Sequence, residues 1–182
     1  MSRRRLGCPI NLTLETFGDR WSLIILRDVM FGDRRTFRAL LTDSLEGIAS
    51  NILADRLKRL VANGMLSRSA DPRHKQRVLY SLTEKAIELV PLMAMMGSWG
   101  LRHTLPSTEL AVRAEILEEG GSPLWDEFMD ELRHLHLGAP RPERSALATL
   151  QAAYEAAVTS AGSSPVPAAP PPMSGEALPA AL

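Results

Sequence analysis

Residues 48–83 restrict the fold of this chain more than any other stretch. In IASNILADRLKRLVANGML, apolar residues recur at three- and four-residue spacing and place Leu53, Leu57, Leu60 and Val61 on one stripe of a helix. Asn63-Gly64 ends that helix, because this pair tolerates left-handed backbone. Two short alternating runs follow, MLSRSA and RVLYSL, and DPRHKQ joins them as a hairpin. The helix docks one face and leaves Asn51, Asp55, Lys58 and Arg59 outside, with Ser50 at its N-terminal edge. The hairpin tip carries Arg73, His74, Lys75 and Arg77. A helix shaped for a groove beside a cationic hairpin predicts a winged helix-turn-helix, mainly α with a small β wing, with double-stranded DNA as its partner.

The flanking residues supply the rest of such a domain. Residues 9–17 form an amphipathic segment with Ile10, Leu12, Leu14 and Phe17 apolar. Gly18-Asp19 breaks it, and Asp19 is placed to cap the next helix, RWSLIILRDVM, which is apolar almost all round and therefore central. Gly32-Asp33 ends that helix; Thr36 can cap a third, with Phe37, Leu40 and Leu41 inward. Thr83 is expected to cap a long helix that Pro91 kinks. Leu92, Met95, Met96 and Trp99 follow the kink, more apolar surface than a small core absorbs. Together with Leu12, Leu14 and Phe17 they make the expected interface of a homodimer. Three further helices are expected at 106–120, 123–137 and 143–160, the middle one starting at Ser122-Pro123. This divides the chain into a winged-helix and dimerisation domain at 1–103, a helical region at 104–160, and a Pro/Ala-rich tail at 161–182 whose composition suits disorder.

Charge follows the same division. The formal net charge is zero, yet residues 1–103 hold 17 Lys and Arg against 10 Asp and Glu, and residues 104–182 hold 4 against 11. A basic module followed by an acidic one is expected of a nucleic-acid binder with an accessory region, since only the binding face must attract phosphate. One cysteine excludes an intrachain disulfide, and no apolar run is long enough to span a membrane, so the chain reads as cytoplasmic.

Asn51 is suited to adenine, and Lys58 and Arg59 to guanine or phosphate; Asp55 accepts from cytosine or steadies Lys58 or Arg59. The hairpin cations supply affinity through phosphates. Arg34, Arg35, Thr36 and Arg38 are further backbone contacts, and Arg56, flanking the core stripe, is structural or phosphate-binding. Cys8 has two readings: Arg3-Arg4-Arg5 nearby favours a reactive thiolate, whereas most free cysteines are small buried hydrophobes. Glu131 and His134 have a metal-pair spacing, but the further ligands such a site needs are missing, so no metal is expected. No phosphate loop, nucleophile elbow or zinc spacing occurs; neither a cofactor nor catalysis is expected. The competing reading is a winged-helix interaction module whose acidic helices dock a protein partner.

With these residues in place, the chain resembles the HxlR-type family of bacterial winged-helix transcriptional regulators. The resemblance rests on Cys8-Pro9, GDRWSLIILRDVMFGDRRTF, GIASNILADRLKRLVANGML and VLYSLTEKA in this order, over about half of the chain. It implies a dimer held by its terminal helices, whose two winged helices bind a pseudo-palindromic operator. It also implies a response to electrophiles or oxidants through Cys8. The chain itself is expected to be a repressor rather than an activator, with a small molecule as a further candidate signal. The family pattern has Ser or Thr where Ala49 stands, so the cap of the recognition helix is expected to move to Ser50. It has Arg directly before Phe37, where this chain has Thr36 preceded by Arg35, and often Gly where Ala86 stands.

Overall fold

A computed structural model describes residues 7–72 and 74–162, with backbone only for Lys75 and for 161–162. Arg3, Arg4, Arg5, Arg73 and the tail from 163 onward lie outside the described residues.

Local sequence signals set the ends of the first helices. Helix α1 (Pro9–Phe17) begins with a proline, whose missing N–H has no partner to lose in a first turn. Helix α2 (Arg20–Gly32) starts where the Asp19 carboxylate accepts from the Ser22 N–H at 3.1 Å and from its hydroxyl at 2.6 Å. It stops at Asp33, which takes left-handed backbone with φ of 45°. Helix α3 (Phe37–Thr42) is capped by Thr36, whose hydroxyl accepts from the Ala39 N–H at 3.1 Å. Helix α4 (Ser50–Ala62) follows a turn that passes through Gly47 at φ of 64°. Its N-cap is Ala49, without a side-chain bond, and Ser50 is already helical; the expected shift of the cap to Ser50 does not occur. The neighbouring Asp19 instead ties this helix to α2, accepting from Arg56 Nε at 2.8 Å.

The wing is the antiparallel pair β1 (Leu66–Asp71) and β2 (His74–Leu82). Its register runs from Leu66 opposite Leu82 to Ala70 opposite Val78, then shifts so that Asp71 faces His74. The connection is therefore shorter than the six residues DPRHKQ, because the strands carry pairing almost to Pro72. At the base of the hairpin the Thr83 hydroxyl donates to Gly64 O at 2.7 Å. That use of the hydroxyl explains why Thr83 makes no side-chain cap for the following helix.

The long kinked helix expected from Thr83 is two helices, α5 (Glu84–Ile87) and α6 (Val90–His103). Pro91 sits in the first turn of α6, where its missing donor and fixed φ start a helix rather than bend one. Helix α7 (Thr108–Leu137) is interrupted at Gly121, with φ of 56° and ψ of −153°, and Pro123 opens its second half. These halves and α8 (Ala146–Gly162) are the three C-terminal helices expected from the sequence.

One buried cluster joins all of this. Ile25, Leu26, Val29 and Met30 of α2 meet Leu40, Leu53, Leu57 and Leu60, and the hairpin adds Leu66 and Leu82. Leu117, Phe128, Leu132, Ala146 and Leu150 extend the same core into α7 and α8. Phe128 is fully buried with its ring 5.1 Å from that of Phe31, so the acidic helices pack on α2 rather than hang from it. Truncating a side chain as enclosed as Leu57 costs about 2–5 kcal/mol, because the cavity it leaves collapses only in part.

Candidate nucleic-acid interface

The apolar stripe of α4 decides which side chains remain outside. With Leu53, Leu57 and Leu60 fully buried, Ser50, Asn51, Asp55, Lys58 and Arg59 are all exposed. Arg56 lies between the two faces and bonds Asp19 and Asp55. Asp55 therefore steadies Arg56, not Lys58 or Arg59 as the spacing suggested. Hydrogen bonds from Ser22 and Arg56 outweigh the effect of burial on Asp19 and hold its carboxyl below the usual range. The link between α2 and α4 thus stays charged at neutral pH.

Helix α3 and the wing enclose an open groove. Thr36, Arg38 and Thr42 line one wall; His74, Gln76 and Arg77 line the other. Arg38, His74 and Arg77 are exposed, and Arg77 has a 3.7 Å contact to Asp71. Arg73 and the side chain of Lys75 are outside the described residues.

Arg34 and Arg35 depart from the sequence expectation, since both are engaged inside the protomer. Arg34 lies 3.3 Å from the buried carboxylate of Asp28. Arg35 donates to Tyr80 O and Leu135 O, each at 3.4 Å, and to the Ser81 hydroxyl. The Tyr80 N–H in turn donates to Arg35 O at 2.8 Å, so residues 34–36 brace β2. The alternating pattern of β2 could not reveal this, because the partner is an irregular segment 45 residues earlier.

The remaining singled-out residues separate cleanly. Cys8 is exposed at the N-cap of α1. Leu12, Leu14, Leu92, Met95, Met96 and Trp99 are all exposed, Trp99 to 57 %. Phe17, expected at the same interface, is 7 % exposed and belongs to the protomer's own core, because α1 turns it under the domain. Glu131 accepts from Ser145 Oγ and from the Leu147 N–H at 2.8 Å, fixing the start of α8, and His134 meets Ala139 O at 2.7 Å. No group of three His, Cys, Asp or Glu side chains suited to a metal occurs among the described residues. No helix among them is long and apolar enough to cross a membrane.

His136, which with His134 follows the acidic stretch of α7, proves the most perturbed of the histidines. It is inserted against β2, where Nδ1 accepts from the Leu82 N–H at 3.4 Å and Nε2 has no partner among the described residues. Burial, aided by the charge of Arg35, lowers its pKa to about 4.

The pattern of the HxlR-like helix-turn-helix matches residues 16–108, from the end of α1 to the start of α7 and half of the chain. The chain belongs to the HxlR-like helix-turn-helix family. It is 34% identical over 93 residues to an uncharacterized HTH-type transcriptional regulator, sll1512, of Synechocystis, covering 51% of this chain and 67% of that protein. It is 36% identical over 112 residues to a second uncharacterized HTH-type transcriptional regulator, Mb3122, of Mycobacterium bovis, covering 60% and 66%. The matches thus span about two thirds of those relatives' length. Among solved structures, the candidate transcription factor PA1607 superposes with a TM-score of 0.52 and 32% identity, over 59% of this chain and 73% of that one. This HxlR-like protein is a transcriptional regulator of the winged-helix type, a DNA-binding class and not an enzyme class.

Proposed function

We propose that this regulator binds a pseudo-palindromic operator as a homodimer and represses transcription from it. The observation that supports this best is the exposed face of α4, Asn51, Asp55, Lys58 and Arg59, with a groove between α3 and the wing that Arg38, His74 and Arg77 line. Such an arrangement lets a helix meet base edges while the wing and α3 hold phosphates. Arg73 and Lys75 join the wing set on sequence grounds. Arg34 and Arg35 do not, since their guanidinium groups are occupied within the protomer. Two copies are supported by the apolar side chains left exposed on α1 and α6, because a closed two-fold pair would cover both at once. Fluorescence anisotropy with DNA fragments from upstream of the gene tests the reading. Sub-micromolar binding at low salt that weakens steeply with added salt is expected; no binding to any fragment would count against it.

The thiol of Cys8 is the proposed signal input. It is exposed, and no second cysteine exists in the chain, so oxidation by a peroxide would join Cys8 to the Cys8 of a second copy. In that step two thiols lose two protons and two electrons, and the peroxide is reduced to water. The Cys8→Ser variant is expected to keep basal DNA binding and to lose its response to peroxides and quinones. An unaltered response in that variant would eliminate the thiol mechanism.

A further inference from the structure

A cavity of about 620 Å³ lies where α2, α6, α7 and α8 meet. Leu23, Phe31, Met93 and Leu117 give it apolar walls. Charged groups line it as well: Arg27, Arg34 and Arg113 against the two carboxylates of Asp28 and Glu46. Arg27 takes both carboxylates, at 2.6 Å to Asp28 and 2.5 Å to Glu46, and Arg34 shares Asp28 at 3.3 Å. Arg113 is left over. Its guanidinium donates to Gln151 Oε1 at 2.6 Å and stacks 4.4 Å from the Tyr154 ring centre, without an ion pair among the described residues. Burial, reinforced by the charges of Arg34 and Arg27, lowers its pKa, while Tyr154 and Glu155 oppose that shift. The cavity therefore carries a guanidinium without an ion-pair partner among the described residues, in a partly dehydrated place.

Asp28 is 2 % exposed and its carboxylate is engaged by Arg27 and Arg34, so the cation left to a ligand is Arg113. Volume, apolar walls and this cation together describe the molecule that fits, a small apolar acid.

We propose that this cavity binds a small apolar carboxylic acid, its carboxylate on Arg113 and its body against Leu23, Phe31, Met93 and Leu117. Gln151 and Tyr154 come from α8 and Arg113 from α7, beyond residues 16–108 that match the family pattern. The site thus gives the added helices a task. It does not depend on DNA binding.

Isothermal titration of the 182-residue chain tests this with two acids, phenylacetate and octanoate. Each is compared with its neutral alcohol. At least one acid is expected to bind once per chain more tightly than about 1 mM, and to lose about tenfold or more when its carboxylate is replaced. Arg113→Gln is expected to weaken it by a similar factor without moving the urea midpoint. Absence of binding by both acids near 1 mM, or equal affinity for the acid and its neutral alcohol, would overturn the proposal. The comparison among compounds uses the unaltered protein, so it decides the matter even where the variant does not fold.

Discussion

Asp19 shows how much one side chain can do in a small domain. It caps α2 through Ser22 and holds α4 through Arg56, so a carboxylate at a loop ties the core helix to the helix proposed to face DNA. Asp19→Ala should cost about 1–2 kcal/mol from the lost cap, with a further loss because Arg56 keeps only Asp55. Urea denaturation reads this directly, and a midpoint equal to the parent's would refute it. His136 gives a pH signature of the opposite kind. Its folded pKa of about 4 lies below the ordinary value of 6.5, so the unfolded chain takes up the proton first as pH falls. Stability from this group is complete above pH 6.5, declines as pH drops toward 4, and is lost below it. Glu46, Glu84 and Asp19 are held below their ordinary values by their partners, so their contribution to acid unfolding falls at lower pH. Between pH 7 and 5 the fall in urea midpoint should therefore shrink in His136→Gln; an identical fall in both proteins would exclude this histidine as the cause.

At the scale of elements, the proposed function divides reading, on α4, from holding, on the wing. If Lys58 and Arg59 contact phosphate, replacing either with alanine should weaken binding to all sequences alike. It should also reduce the slope of log affinity against log salt by about 0.9 per lost contact. Asn51→Ala should instead leave the salt slope intact and cost about 1–3 kcal/mol at one base position of the operator. Anisotropy titrations over a series of salt concentrations separate the two, and parallel behaviour of all three variants would remove the division. The same scale shows what periodicity conveys. Leu53, Leu57 and Leu60 announce α4 because a single buried face repeats along it. Pro91 misleads, because proline fits both a kink and a first turn; the sequence favours the kink, and the break at Glu88 and Leu89 shows the first turn instead.

For the whole molecule, exposed apolar surface is the quantity with consequences. Met95, Met96 and Trp99 on α6, and Leu14 on α1, are each 46–58 % exposed, a large apolar area to leave in water. Trp99→Glu combined with Met95→Glu should turn the proposed dimer into a folded monomer, because each carboxylate would have to be buried unpaired. Sedimentation velocity distinguishes the two states, and circular dichroism checks that the fold survives. An unaltered sedimentation coefficient in the double variant would place the interface elsewhere. The acidic helices belong to this scale also, since Phe128, Leu132 and Leu150 share one core with α2 and the hairpin.

What the sequence alone determined were the properties carried by neighbours along the chain. The winged-helix order, the caps at Asp19 and Thr36, the break at Gly121-Ser122-Pro123 and the outward face of α4 all arise within a few residues, where helical or strand periodicity and backbone preference act. The family pattern added the class of regulator. Tertiary structure alone decided which charges are free. Nothing adjacent to Arg34 or Arg35 shows that Asp28, Tyr80 and Leu135 claim them, and nothing near Phe17 shows that it turns into the core. The cavity depends on Asp28, Arg113 and Tyr154, from helices brought together only by packing. Electrostatics and burial act through space, over distances that sequence spacing does not encode.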